Sequence, residues 1–329
     1  MAAYRLFGAE TSPYSLKVRS FLRYKGVDFD WVLRSAATEE EFKTHASLPT
    51  LPLLISPKGK ASQDSSNMLA SLEKDHIEPS SKPDDEACYA ISFLLEDYAD
   101  EWLNKAMFLN RWSQSPDKEA AATRVLEQLF SGRAPARKRD AQSSVIERMT
   151  ERLALVGATP ENAPVITASF QRFANLFNAH LEHHLFIFGG RPSWADFAIA
   201  GQLQQMLLDP TTSAWLKEQT PFVASWCEFM EAPAAGAPFA KFEELAETLL
   251  PLIRDEVSVS YLPWAAANSA ALSKRQKNVT VDLQDGPFTQ ATQRYTAKSY
   301  RNMLKTLEKM ADADGLSAFL DAAGAKPYL

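Results

Sequence analysis

A chain of 329 residues, 46% hydrophobic and 23% charged, is long enough for two domains and too apolar to be disordered or collagen-like. Its net charge of −6 and pI near 5.5 argue against a general nucleic-acid binder, which needs a basic field to displace counterions from phosphates. Two distant cysteines, Cys88 and Cys227, outside any CxxC spacing, argue against a disulfide framework and a cysteine zinc site, so a reducing compartment is expected.

The first residues, MAAYRLFGAE, lack the basic start and apolar run of a secretory signal, and no apolar run reaches the roughly 18 residues of a membrane span. The expectation is a cytoplasmic protein with no membrane partner. NVT at Asn278 matches a glycosylation acceptor, but without a signal no sugar is expected there. Residues 4–7 read as a short apolar strand, followed by Gly8, a polar loop and a helix with Tyr14, Val18, Phe21 and Leu22 on one face. Lys25 and Gly26 supply a cation and a left-handed cap, and residues 27–33 alternate as a second strand, giving a βαβ unit. LPTLPLLISPKGK then gives a strand at 53–55, introduced by Pro52 and closed by a turn leading to a hairpin partner at 61–63. A helix follows at 66–73.

KPDD, residues 82–85, reads as a linker, after which helical periodicity dominates, with Ala87, Ile91, Leu94, Leu95, Tyr98 and Trp102 on one stripe. Further helices are expected at 145–155, 168–185, 194–208 and 221–230. Beyond about residue 245 the chain continues for some 80 residues that a two-domain body does not require. There Val279, Val281 and Leu283 alternate before Asp285-Gly286, a hairpin signal, and Tyr300, Met303, Leu304, Leu307 and Met310 share a helical face. The fold class is α+β: a βαβ-ββα domain at 1–80, an all-helical domain at 84–245, and an extension at 246–329 packed on the helical domain.

Three short stretches carry chemistry. Ser12 precedes Pro13 at the hand-over from strand to helix, a natural N-cap; the same helix end presents unpaired N–H groups and partial positive charge to an anion, and a hydroxyl there can donate to a bound thiolate. Leu51-Pro52 places a proline, the residue for which a cis peptide is cheap, at the start of a strand. It is either a plain edge-strand proline or a device that offers the Leu51 N–H and C=O to an extended peptide ligand. Gln63-Asp64-Ser65 before a helix is a cap that also suits an α-amino and α-carboxylate pair.

In this order the stretches resemble the glutathione transferase superfamily, over residues 4–72 by motif and about 84–244 by pattern. SPYSLKVR is similar to its active-site loop, LPLLI to its cis-proline strand, and QDSSNMLASL to the segment that grips the γ-glutamyl end of glutathione. FGGRPSWADFAIAG resembles its helical-domain capping box, with Ser193 and Asp196 in S-x-x-D spacing. The resemblance implies a thioredoxin-like first domain, glutathione as co-substrate without a metal, a small electrophilic substrate, a role in detoxification and a homodimer in which this domain packs on a neighbour's helical domain. Ser12 then falls where the family's activating serine, or the cysteine of its omega-like branch, would sit. A serine cannot form mixed disulfides, so what remains is activation of glutathione's own sulfur. Tyr14 and Ser15 are hydroxyl donors within one turn, so any of the three is a candidate activator, with Ser12 the favoured catalytic residue, and Tyr14 and Ser15 are also expected at the glutathione site with Leu51, Pro52, Asp64 and Ser65. Asp64 stands where glutamate is usual and Lys17 where arginine is common.

The resemblance puts the acceptor pocket between the domains, where LLEDYADEWLNKAMFLNRW offers Tyr98, Trp102, Met107, Phe108, Arg111 and Trp112. Tyr98 and Trp102 are at least as well read as core, while Arg111 beside an apolar stripe suggests an anionic partner. His180, His183 and His184 suggest a metal, with His180 and His184 one helical turn apart, but no third ligand is visible and HEXXH is absent, so no metal is expected. Arg133, Arg137, Lys138 and Arg139 read as a solvated helix end rather than a nucleic-acid site. The alternative to an enzyme is a non-catalytic interaction module on the same fold.

Overall fold

The structure, a computed structural model, describes residues 3–131 and 138–329. Of the basic run, Arg133 and Arg137 lie outside the described residues. Four short strands, β1 (Tyr4–Gly8), β2 (Phe29–Leu33), β3 (Leu53–Ile55) and β4 (Ala61–Gln63), form a mixed sheet of order β2-β1-β3-β4. Helix α1 (Pro13–Tyr24) carries the chain from β1 to its parallel neighbour β2, while β3 runs antiparallel to both β1 and β4. Helix α2 (Glu39–His45), which periodicity did not reveal, covers Phe7, Leu53 and Ile55 with Phe42, and α3 (Ser65–Asp75) follows β4.

Register fixes where the sheet's ends meet. Phe7 pairs with Leu53, and Leu53 with Gln63. The loop after Gly8, the Leu51-Pro52 step and the Asp64-Ser65 step therefore all leave the sheet at the same end. The Leu51-Pro52 peptide is cis.

The helical part opens with α4 (Glu86–Tyr98), which runs through a π-helical turn, Ala99–Leu103, into α5 (Asn104–Ser113). After α6 (Asp117–Leu129), α7 (Lys138–Glu151) and α8 (Ala163–Leu181) comes α9 (Trp194–Leu207), buried on nearly every face. Its N-terminus is fixed by Asp196, whose carboxylate accepts from the Ser193 N–H at 2.8 Å, the Ser193 hydroxyl at 2.7 Å and the Ile187 N–H at 2.9 Å. Burial pushes that carboxyl up to about 6 even though these donors pull it down. Gly201 of α9 meets α1 so closely that a Cβ would stand 2.5 Å from the Pro13 carbonyl oxygen. The absent side chain is what lets α9 support the first turn of α1.

Helices α10 (Pro210–Gln219), α11 (Pro221–Phe229) and α12 (Phe242–Leu252) lead to the tail: α13 (Tyr261–Ser273), the hairpin β5 (Asn278–Leu283) and β6 (Gly286–Ala291), α14 (Arg294–Lys309) and α15 (Leu316–Ala322). Phe288, Tyr300, Met303 and Leu307 join the same continuous apolar core as Leu94, Phe173 and Phe197. The buried Lys105 amine lies 4.0 Å above the Trp264 ring and donates to the Val156 carbonyl at 3.1 Å and Gln290 Oε1 at 3.0 Å, so it fastens α13 and β6 to α5. Because burial is the larger influence, with Glu101 only partly opposing it, that amine is lowered to about 7.

Candidate active site

Ser12 caps α1 in an extended conformation, and its Oγ accepts the Ser15 N–H at 3.3 Å. Pro13 begins the helix and no acidic residue stands in its first turn, so the helix end keeps its partial positive charge. The loop before it is held from the helical part. Gln205 Nε2 donates to the Glu10 carbonyl at 2.8 Å, and Arg111 Nη1 to the Thr11 carbonyl at 3.2 Å. Arg111 is itself fixed by Asp209 at 2.8 Å through Nε and by the Gln205 carbonyl at 2.7 Å through Nη2.

The three hydroxyls of this turn are in different states. Tyr14 donates its proton to the Asp100 carbonyl at 2.9 Å and accepts from Asn104 Nδ2 at 3.1 Å, and burial, reinforced by Asp100 and Glu101, holds its pKa far above the usual phenol value. Ser15 is 0% exposed and its hydroxyl has no partner, so the expected contact with a bound co-substrate is corrected: the side chain does not reach a cleft. Ser12 is half-buried, and among the described residues its hydroxyl donates to nothing. Only Ser12 offers an uncommitted proton at an accessible position.

Ser12 and Tyr14 border a cavity of about 280 Å³ whose other walls include Met107, Phe108, Arg111, Trp112, Val125 and Met149. Four of the six expected acceptor residues are thus brought to Ser12, and two are not. Tyr98, 0% exposed, gives its hydroxyl to Glu256 at 3.1 Å and packs on Phe173; Trp102 gives its indole N–H to Ser169 at 2.8 Å. Both belong to the core beneath α8 and the tail, which corrects their assignment to the pocket. Arg111 is corrected in role: with a carboxylate and two carbonyls already on its guanidinium and 2% of its surface exposed, it has no face for an anionic ligand and instead braces the Ser12 loop.

At the same end of the sheet, Leu51 is half-buried beside buried Pro52, and neither its N–H nor its C=O is engaged by another group among the described residues. Gln63 shapes the approach, accepting from the Ser47 and Leu48 N–H groups and donating to the Leu48 and Thr50 carbonyls. Asp64 caps α3 with φ +82°, a conformation that costs a non-glycine residue about 1–3 kcal/mol and persists where the surroundings over-determine it. Its Oδ1 accepts the Asn67 N–H at 3.4 Å. Ser65, buried at the first helical position, has a hydroxyl with no partner among the described residues.

Lys17 ties this end to the helical part: its ammonium meets Glu96 and Asp100, each at 2.7 Å, and Ser66 at 3.3 Å. Burial disfavours that charge, but Asp100 and Glu96 more than offset it and the pKa is raised. Sequence reasoning missed Gln205, Asn104 and, in the tail, Tyr295, whose hydroxyl donates to Asp64 Oδ2 at 3.0 Å. Asn104 lies one turn from Asp100 and carried a weak periodic signal; Tyr295, 231 residues from Asp64, carried none.

Elsewhere, His180 is a core residue, bound to Thr248 at 2.9 Å and the Ile187 carbonyl at 3.1 Å and lowered to about 3 by burial and His184. Among the described residues no group of three His, Cys, Asp or Glu side chains could hold a metal, and no helix is long and apolar enough to cross a membrane. Burial pushes the Cys88 and Cys227 thiols up, away from thiolate chemistry.

Comparison with known families matches residues 11–75 to the glutathione S-transferase N-terminal domain and residues 136–229 to the glutathione S-transferase C-terminal domain. Among solved structures, the chain is similar to a glutathione S-transferase from Rhodospirillum rubrum (19% identity, 70% of this chain and 88% of that one, TM-score 0.46). It is also similar to one from Methylobacterium radiotolerans in complex with glutathione sulfonate (22% identity, 72% and 96%, TM-score 0.44). A third likeness is to the beta-etherase LigF from Sphingobium sp. strain SYK-6 (14% identity, 76% and 99%, TM-score 0.47). No curated protein sequence matches.

Proposed function

The chain belongs to the glutathione S-transferase superfamily, and from that premise we propose that it is a glutathione transferase in which Ser12 stabilises the thiolate of bound glutathione for attack on a hydrophobic or aromatic electrophile. The observation that carries the reading is the state of the Ser12 hydroxyl: of the three hydroxyls at this turn the accessible one, uncommitted, at the N-terminus of a helix with no acidic residue in its own first turn. A free thiol titrates near about 8.5, and lowering it by roughly two units requires about 2.7 kcal/mol. One charge-assisted hydrogen bond together with the helix end can supply that.

In this reading the free Leu51 backbone pairs with the tripeptide as an added strand, next to Pro52, while Asp64, Ser65 and the N–H groups of α3 take its amino-acid end. The apolar walls of Met107, Phe108 and Trp112 suit an uncharged acceptor, and the thiolate displaces a leaving group or adds to the electrophilic carbon. Ether cleavage and dehalogenation are variants of that attack. Residues 1–80 thus serve glutathione and residues 84–245 the acceptor. A homodimer in the cytoplasm, acting in detoxification, completes the proposal.

The test is the ultraviolet thiolate absorbance of bound glutathione titrated over pH, in the native protein and in Ser12→Ala. A depressed thiol pKa that returns toward the free value in the variant is the expected result. Binding with no shift rules out Ser12 as activator, and absence of binding replaces the transferase with the interaction module.

A further inference from the structure

A cavity of about 570 Å³ lies where α3, α4 and α14 meet, and its walls hold Asp64, Ser66, Asp100, Tyr295 and Lys298. Most of its polar groups are already satisfied. Glu96 is bound by Lys17 and Ser66, and Asp97 accepts hydroxyls from Tyr261 and Ser299. Asp100 differs: it is 8% exposed, accepts from Lys17 at Oδ2, and leaves Oδ1 with no partner. A carboxylate oxygen buried without a donor costs on the order of 1–3 kcal/mol or more, so it marks a place built for one. On the facing helix, Lys298 is exposed and makes no ion pair among the described residues, and Tyr295 holds the strained Asp64 cap through Oδ2.

A wall with an unfilled carboxylate oxygen of Asp100 on one side and the unpaired Lys298 ammonium on the other matches a zwitterion. Resting on the transferase reading above, we propose that the tail completes, within a single chain, the pocket for the ammonium–carboxylate end of glutathione. Asp100 and Asp64 accept the ammonium, and Lys298 together with the α3 N-terminus holds the α-carboxylate. Tyr295 is a positioning residue that keeps Asp64 turned toward the ligand. The C-terminal extension is then part of the co-substrate site.

Calorimetric titration of the full chain with glutathione and with its analogue lacking the α-amino group tests this. Tyr295→Phe should weaken glutathione about fivefold, the worth of one ordinary hydrogen bond, and leave the des-amino analogue unchanged. Equal losses for both ligands would make Tyr295 a merely structural contact and overturn the proposal, as would no loss for either. Lys298→Gln is a second, independent variant at an exposed position; it should weaken glutathione but not the analogue lacking the α-carboxylate, and an equal effect on both again overturns the assignment. If the native protein binds no glutathione, the transferase reading itself falls, whereas native binding with flat variant responses removes only the role of the tail.

Discussion

The two regions of the candidate site, the Ser12 loop and the tail, are fastened by different chemistry. The loop carrying Ser12 is held through its backbone, by the Arg111 guanidinium on the Thr11 carbonyl and the Gln205 amide on the Glu10 carbonyl. The tail is held through side-chain carboxylates, with Tyr261 and Ser299 on Asp97 and Thr296 on Glu101. Guanidinium and amide groups keep one charge state throughout the useful pH range, whereas these carboxyls titrate within it: burial raises Asp97 to about 8 and Glu101 to about 7. The Ser12 wall is a fixed part, and the tail wall is one whose attachment depends on protons.

The largest effect should come from breaking the fixed wall at its centre. Arg111→Ala removes the principal partner of fully buried Asp209, leaving only Arg124, and frees the Thr11 carbonyl. Removing one member of a buried pair costs about 3–5 kcal/mol. A loss of that size in the free energy of denaturant unfolding is expected, together with loss of the thiol pKa depression, and an unchanged thiol pKa would show that the loop holds its shape without Arg111. Gly201→Ala strikes the same wall from beneath. Its Cβ would press on the Pro13 backbone at 2.5 Å, which cannot swing aside as a side chain would, so overpacking should cost about 1–3 kcal/mol. Thiolate formation should suffer more than glutathione affinity, because the displaced atoms belong to the first turn of α1.

This contrast also decided what the sequence could reveal. The fixed wall is built from contiguous signals: Ser12-Pro13 is a cap and a first helical residue in adjacent positions, Leu51-Pro52 opens a strand, and Ser193 to Asp196 closes a local box. Each is a short-range rule, and each was legible. Partners that reach across the fold were not. Nothing near Arg111 announced that Asp209 and two carbonyls would claim its guanidinium, so it was misread as an anion site. Tyr98 and Trp102 were ambiguous because a helix stripe faces either a pocket or a core, and only the placement of tail residues, Tyr261 against Tyr98 and Trp264 and Phe288 against Trp102, decided for the core. Helix α2, with three glutamates before a single core residue, Phe42, offered too little apolar periodicity to be seen.

The proton-dependent wall predicts a pH profile. Unfolded carboxyls lose their protons near pH of about 4, while native Asp97 and Glu101 keep theirs to about 8 and about 7, so the native state binds more protons in between and stability falls as pH rises through that window. Asp100 and Asp196, each raised to about 6, add to the same slope. Lys105 acts in the opposite sense. Its amine is lowered to about 7, so above that value the unfolded chain binds the extra proton and stability recovers toward the ordinary lysine pKa of about 10.4. The thermal midpoint should therefore pass through a minimum near about pH 7–8. In Asp97→Asn the fall on the acid side should become shallower, and an unchanged slope would remove Asp97 from the account.

The smallest effect is the sharpest control on the fixed wall. Tyr14 lies two residues from Ser12 and borders the same cavity, yet its hydroxyl proton already belongs to the Asp100 carbonyl. Tyr14→Phe deletes that bond and the one received from Asn104, at a cost of about 1 kcal/mol each, and leaves the apolar ring in place. If Ser12 is the activator, the thiol pKa of bound glutathione should stay where the native protein sets it, while stability drops slightly. A thiol pKa that rises in Tyr14→Phe and stays depressed in Ser12→Ala would reverse the assignment, because it would mean that the phenol leaves Asp100 for the sulfur when glutathione binds. The hydrogen bond to a backbone carbonyl on the π-helical turn would then be the resting position of a moving donor, and the wall described as fixed would be the one that rearranges.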